Sequence, residues 1–248
     1  IDAAATAAPR DFDPRLPRLD DPALLLLTSG TTGEPKAVLH THRSLRSRWS
    51  LQRERIGVDA FDATLCLVPT QFAWGLVGHC LYAWLSGKTV LLAPAQRQDV
   101  LLRAGQMCDE FGVTCMATVP TMWRVLPRMA APPRGGTLRL ATCGTGPLTD
   151  ELWASAARWT GTEVANIYGI TETGWIAGSV AASGRVAAAG GLSPWGTVVR
   201  VLAGTGTAAP ALSLRRCEPG EVGHVWVQSP SLMSGYFERD DLTDAVLA

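Results

Sequence analysis

The sequence predicts an α/β protein: a mostly parallel sheet flanked by helices in βαβ units, with a small β-rich subdomain at the C-terminal end. Short apolar runs of strand length alternate with helical patterns between residues 23 and 167. Past about residue 180 the texture changes to Gly-rich turns between the short runs "TVVRVL" and "HVWVQS", with no amphipathic helix. A chain of 248 residues with 47% hydrophobic content can also bury the sizeable core that such a sheet needs. The expected division is 1–180 for the α/β core and 181–248 for the β-rich part.

Strands are predicted near 23–28, 37–40, 64–68, 88–93, 113–117, 138–142 and 163–167, and helices over 43–55, 75–86, 98–111, 120–130 and 148–160. The last helix has the clearest start. Thr149 precedes Asp150 and Glu151, a hydroxyl to cap free N–H groups and two acids for the positive end of the dipole. The segment "HRSLRSRWSLQRER" carries five arginines beside Leu45, Trp49 and Leu51. It reads as a solvated basic face over an apolar side, in preference to a site for the phosphates of coenzyme A. "AGTGTAAPA" at 203–211 reads as a loop tip.

Composition narrows the partners. Lys plus Arg and Asp plus Glu balance at 22 each, so no global field favours nucleic acid or an anionic membrane, and a small molecule is the expected partner. The six cysteines have no C-x-x-C pair and read as buried thiols in a reducing cytoplasm. His40, His42, His79 and His224 lack metal-ligand spacing. Between Asp62 and Lys88 no charged residue occurs, yet Pro69, Gln71, Gly75, Gly78 and His79 interrupt the run, so a buried strand, turn and helix are expected there in place of a membrane span. The first residues, "IDAAATAAPRDFDPRL", carry acids and prolines where a signal peptide would be apolar.

The most informative stretch is "TSGTTGEPK", directly after four leucines. Gly30 and Gly33 let the backbone bend close to a ligand, Thr28, Ser29, Thr31 and Thr32 supply donors, and Lys36 adds a positive charge. Together they form a candidate phosphate cradle. It is not a Walker A loop, because no Ser or Thr follows the lysine to hold magnesium. An ordinary βα turn rich in Gly, Ser and Thr is the plainer alternative.

"TSGTTGEPKAVLHTHRSL" resembles the phosphate-loop signature of the adenylate-forming superfamily of acyl-CoA synthetases, luciferases and adenylation domains, with Ala37 where a glycine is usual. Two further strings follow in that family's order. "ATCGTGPLTDEL" resembles its adenine-flanking loop and implies Gly144, Thr145 and Gly146 beside the nucleobase. "NIYGITETG" implies Tyr168 on the adenine with Gly169 in the same nucleotide site, Thr171 at the α-phosphate and Glu172 as a magnesium-holding acid. The resemblance thus implies Lys36, Thr171 and Glu172 in catalysis, ATP and Mg2+ as cofactors, and coenzyme A or a carrier phosphopantetheine as acceptor. "FAWG" resembles the "FAYG" of benzoate-type ligases and implies an acid pocket at Phe72, Ala73, Trp74 and Gly75 for an aryl or small apolar carboxylic acid; plain core aromatics are the alternative. Trp175 is left outside this set.

The late string "PSLMSGYFERDDLT" is closer in wording to acyl-CoA ligases than to peptide-synthetase domains, and an architectural role is expected for it. Relative to the family, an N-terminal segment, a "TGD" aspartate, a hinge and a lysine-bearing C-terminal lobe are missing. A fragment of a ligase is the expectation. A non-catalytic nucleotide-binding or assembly module, or an enzyme that loads a carrier protein, stays open, as does a homodimer.

Overall fold

A computed structural model of the chain describes residues 16–28, 35–93, 97–180, 196–203 and 214–247. It opens with the strands β1 (Pro22–Thr28) and β2 (Lys36–Thr41) and the helix α1 (His42–Ile56). An alternating run follows: β3 (Ala63–Cys66), α2 (Ala73–Gly75), α3 (Tyr82–Leu85), β4 (Thr89–Leu92), α4 (Gln98–Leu102), α5 (Ala104–Glu110), β5 (Cys115–Thr118), α6 (Pro120–Trp123), α7 (Leu126–Met129), β6 (Leu140–Gly144), α8 (Asp150–Thr160) and β7 (Glu163–Ile170). The described chain ends with β8 (Gly174–Val180), β9 (Val198–Leu202), β10 (His224–Gln228), β11 (Gly235–Tyr236) and α9 (Asp240–Asp244).

The main sheet has six strands in the order β4-β3-β5-β6-β7-β8. Every pair in it is parallel except β7–β8. Buried strands alternate their side chains between two helical layers. In β6, Ala141 and Cys143 join a core with Trp123, Trp153 and Trp159, while Leu140 joins Phe61, Tyr82 and Ile167 on the other side. From β3 the chain goes outward to β4, then crosses back to the far side of β3 to lay down β5. That reversal leaves a crevice at the carboxyl ends of β3 and β5, where open α/β sheets bind ligands.

Local chemistry sets the helix ends. Thr149 caps α8 by accepting from Leu152 N–H, and Gly161 closes it in the left-handed region at φ 66°. Thr41 caps α1 in the same way by accepting from Ser44 N–H. α2 and α3 are joined by a π-helical stretch, Leu76–Leu81, which replaces part of the regular helix predicted over 75–86.

Two expectations change. The alternation was read as continuous parallel units, but β1 and β2 pair antiparallel in a separate three-stranded sheet, β1-β2-β11. Only the seven residues "SGTTGEP" separate them, too few for the crossover that a parallel pair needs. The β8 strand was not predicted, because "GWIAGSV" has too many glycines to read as a strand.

Candidate functional site

A cavity of about 580 Å³ opens at the carboxyl ends of the parallel strands, where Val68, Val119, Thr145 and Ile170 lie. Of the residues singled out from sequence, Thr28, Phe72, Ala73, Trp74, Thr145, Gly169 and Thr171 line it. Ser29, Gly30, Thr31, Thr32 and Gly33 lie outside the described residues. Thr28 and Lys36, which bracket that segment, are cross-strand partners, and Thr28 lines the cavity.

Lys36 and Glu172 do not line the cavity, yet one residue joins them. The Tyr236 hydroxyl donates to Glu172 Oε1 at 2.8 Å, and the Lys36 ammonium sits 5.2 Å from the centre of the Tyr236 ring. Burial and the adjacent Glu172 carboxylate push the Tyr236 phenol up, so it remains a donor. β11 carries Tyr236 opposite Val38 on β2, and Met233 N–H donates to Glu172 O at 2.7 Å. The late string, expected to be architectural, therefore supplies a side chain to the site. Its "GY" was visible in the sequence, but its neighbour 64 residues earlier was not.

The segment carrying Thr171 and Glu172 is the turn between β7 and β8, and a buried polar cluster holds it from behind. Arg48 Nη2 donates to Thr171 O at 2.6 Å and lies 2.9 Å from His40 Nε2. His40 Nδ1 is 3.2 Å from Ser44 Oγ, and that hydroxyl donates to Thr41 O at 3.1 Å. Nε2 also lies 3.0 Å from Thr171 O, so a neutral His40 serves one of two arrangements: Nδ1–H donates to Ser44 while Nε2 accepts from the arginine, or Nε2–H donates to Thr171 O. Burial and the Arg48 charge hold His40 down at about 3, so the imidazole stays neutral and can accept. Arg48 is only 9% exposed and departs from the solvated arginine face expected of α1, on which Arg43, Arg46 and Arg53 do lie exposed. Its carbonyl and imidazole acceptors on other elements make burial tolerable, and helical spacing alone could not reveal them.

The aromatic wall is fixed with similar care. Trp74 Nε1 donates to Thr118 O at 3.0 Å, and its ring meets the His79 ring edge-on with centroids 4.6 Å apart. His79 Nδ1–H donates to Trp74 O at 2.8 Å, leaving Nε2 to accept from the Thr142 hydroxyl at 2.6 Å. Burial holds His79 down at about 4. Gly144 is needed behind this wall, since a Cβ there would lie 3.0 Å from the Trp74 ring. Thr145 takes φ 70°, an unusual conformation for a β-branched residue, and lines the cavity.

Other residues sit elsewhere. Tyr168 is 48% exposed beside the cavity residues Ile167 and Gly169, and Phe72 is 54% exposed at the cavity wall. Gly146 faces Pro120. Gly75, placed in the acid pocket from sequence, instead stands against Pro69 O, which a Cβ would approach to 2.6 Å, so it permits a close backbone crossing and does not line the wall. Trp175, left out of the expected set, does line the cavity. Among the described residues no group of three or more His, Cys, Asp and Glu side chains is arranged for a metal.

Comparisons with known proteins converge. The chain is 32% identical to 4-coumarate–CoA ligase-like 4 of Oryza sativa subsp. japonica over 92% of its own length and 41% of the rice protein. It is 31% identical to feruloyl-CoA synthase of Amycolatopsis sp, over all of this chain and 49% of the relative. The chain therefore spans less than half the length of these curated relatives. Among solved structures, O-succinylbenzoate coenzyme A synthetase from Bacillus subtilis in complex with ATP and magnesium ion superposes with a TM-score of 0.78 at 26% identity, over 93% of this chain and 46% of that one. With the profile of the AMP-binding enzymes matching residues 2–237, the chain belongs to the AMP-binding enzyme family.

Proposed function

We propose that this chain forms the nucleotide- and acid-binding core of an ATP-dependent acid–CoA ligase. The observation that carries the reading is the Lys36–Tyr236–Glu172 contact at the edge of a cavity lined by Thr28 and Thr171. Lys36 has no carboxylate partner among the described residues, and its ammonium is available to phosphate oxygens. Glu172 spends one oxygen on Tyr236 and keeps the other for a cation. A single carboxylate suits Mg2+, which fills its remaining positions with phosphate oxygens and water.

In the proposed reaction a carboxylate oxygen of the acid attacks the α-phosphorus of ATP, and the bond to the bridging oxygen breaks to release pyrophosphate. The acyl carbon then takes the thiol sulfur of coenzyme A, and AMP leaves. Thr171 and Lys36 orient the phosphates, while Arg48 and His40 hold the Thr171 carbonyl and so the turn that presents Glu172. Magnesium, when bound at Glu172, neutralises charge building on pyrophosphate. Tyr168 offers an exposed ring for the adenine, next in the chain to Ile167, the cross-strand partner of Gly144. Phe72, Trp74 and Trp175 offer an apolar aromatic wall to the acid, and relatives named for coumarate and ferulate support an aryl acid.

The reading is tested by exchange of labelled pyrophosphate into ATP with a panel of aryl acids, for this chain and for any longer polypeptide that carries it. Acid-dependent exchange that disappears in Glu172→Ala is the expected result. Absence of exchange with every acid in both overturns it.

A further inference from the structure

Arg48 is the sole charged side chain among the described residues that line the cavity. It is also nine-tenths buried, and it forms no ion pair among the described residues. Its structural duties occupy only part of the guanidinium: Nη2 serves His40 and Thr171 O, and Nε makes a long contact of 3.4 Å to Ser231 O. Nη1, with two N–H donors, has no hydrogen-bond partner among the described residues. It is not sealed away either, because the fully enclosed unpartnered side-chain atoms are Arg55 Nε and Trp175 Nε1. Arg48 is one of the residues that line the cavity. Around it the wall is apolar, with Leu51, Val77, Trp74 and Trp175. Gln52, one turn along α1, is tied back to Gly78 O at 2.8 Å.

A buried cation facing an apolar cavity is costly unless an anion accompanies it. Among the described residues Glu172 is the one acid that acts on Arg48 through charge, and one of its oxygens is already engaged by Tyr236. Arg48 stands on α1 with Leu51, and the same cavity wall carries Trp74 and Trp175, the rings proposed for the acid. We propose that Arg48 recognises a second anionic group on the acid, so that the substrate is a dicarboxylate whose two ends are joined by an apolar, aromatic spacer. One carboxylate is adenylated. The other pairs with Nη1 of Arg48. This inference rests on the adenylation reading and specifies the substrate class of the same site.

Calorimetry with acyl-sulfamoyl adenosine mimics tests it without requiring turnover. Three acyl groups are compared: 4-carboxybenzoyl, 4-carbamoylbenzoyl and 4-methylbenzoyl. The expected result is binding of the carboxy compound at least about tenfold tighter than the methyl compound, the scale of a charge-assisted hydrogen bond, with the carbamoyl compound between them. Arg48→Met should collapse that ranking and Arg48→Lys should keep part of it, with melting curves to show that each variant is folded. A wild-type ranking that is flat or favours the methyl compound overturns the inference while leaving adenylation standing. Equal binding of carboxy and carbamoyl compounds overturns an anionic partner. Loss of ATP binding in Arg48→Met, with the three-compound ranking intact, moves Arg48 to the nucleotide and also overturns it. Failure of all three mimics to bind wild type overturns the adenylation reading, and this inference with it.

Discussion

Single residues carry the tightest constraints in this molecule. A Cβ at Gly169 would lie 2.2 Å from Gly174 O, across the register irregularity between β7 and β8, so no side chain fits without separating the two strands. Gly169→Ala is expected to lower stability by about 1–3 kcal/mol and to displace Thr171 and Glu172, read as a lower melting temperature together with weaker ATP binding. Tyr236→Phe removes only the hydroxyl that orients Glu172. The fold should persist, while the magnesium concentration for half-maximal exchange rises by about tenfold or more, in line with the loss of a partner that orients a metal ligand. If that concentration is unchanged, Tyr236 is a spacer and does not position Glu172.

At the scale of elements, two buried neutral histidines stand between elements: His40 of β2 against the turn that joins β7 and β8, and His79 of the π-helical stretch against Thr142 of β6. An unfolded histidine takes up its proton near pH 6.5, whereas His40 and His79 are held down at about 3 and about 4. Between those limits the unfolded chain binds more protons, so stability falls as the pH drops. The expected loss is roughly 1.4 kcal/mol per pH unit for each histidine from about pH 6.5 to about pH 4. Denaturant midpoints across that window measure it, and a flat profile would mean that the imidazoles are not buried as described. The α8 start gives a simpler check: Thr149→Ala should cost about 1 kcal/mol in denaturant unfolding, with little effect on the cavity.

For the whole molecule, the cavity exists because two sheets meet. The β1-β2-β11 sheet brings Thr28 to the crevice that the six-stranded sheet opens at its strand reversal, and it sets Lys36 and Tyr236 against Glu172, the neighbour of the cavity residue Thr171. Ligand bound across that seam favours only the assembled state. ATP with magnesium at about a hundredfold excess over its dissociation constant should therefore stabilise the chain by about 2.7 kcal/mol, and this shift should shrink in Glu172→Ala. A thermal-shift titration decides it.

Much of this was legible in the sequence because it is local. The strand positions, the helix start at Thr149 and the run of glycines and hydroxyls after four leucines depend on neighbours a few residues apart, and periodicity and capping chemistry report on those directly. Three placements were decided by the tertiary structure alone: Arg48 inside the protein, Tyr236 on Glu172, and Trp175 in the cavity wall. Arg48 meets Thr171 across 123 residues of chain and Tyr236 meets Glu172 across 64. A guanidinium on a helix looks the same in sequence whether it faces water or a carbonyl from a distant turn. Only the packing of the two sheets determines which partner satisfies it, and so whether its burial is tolerated.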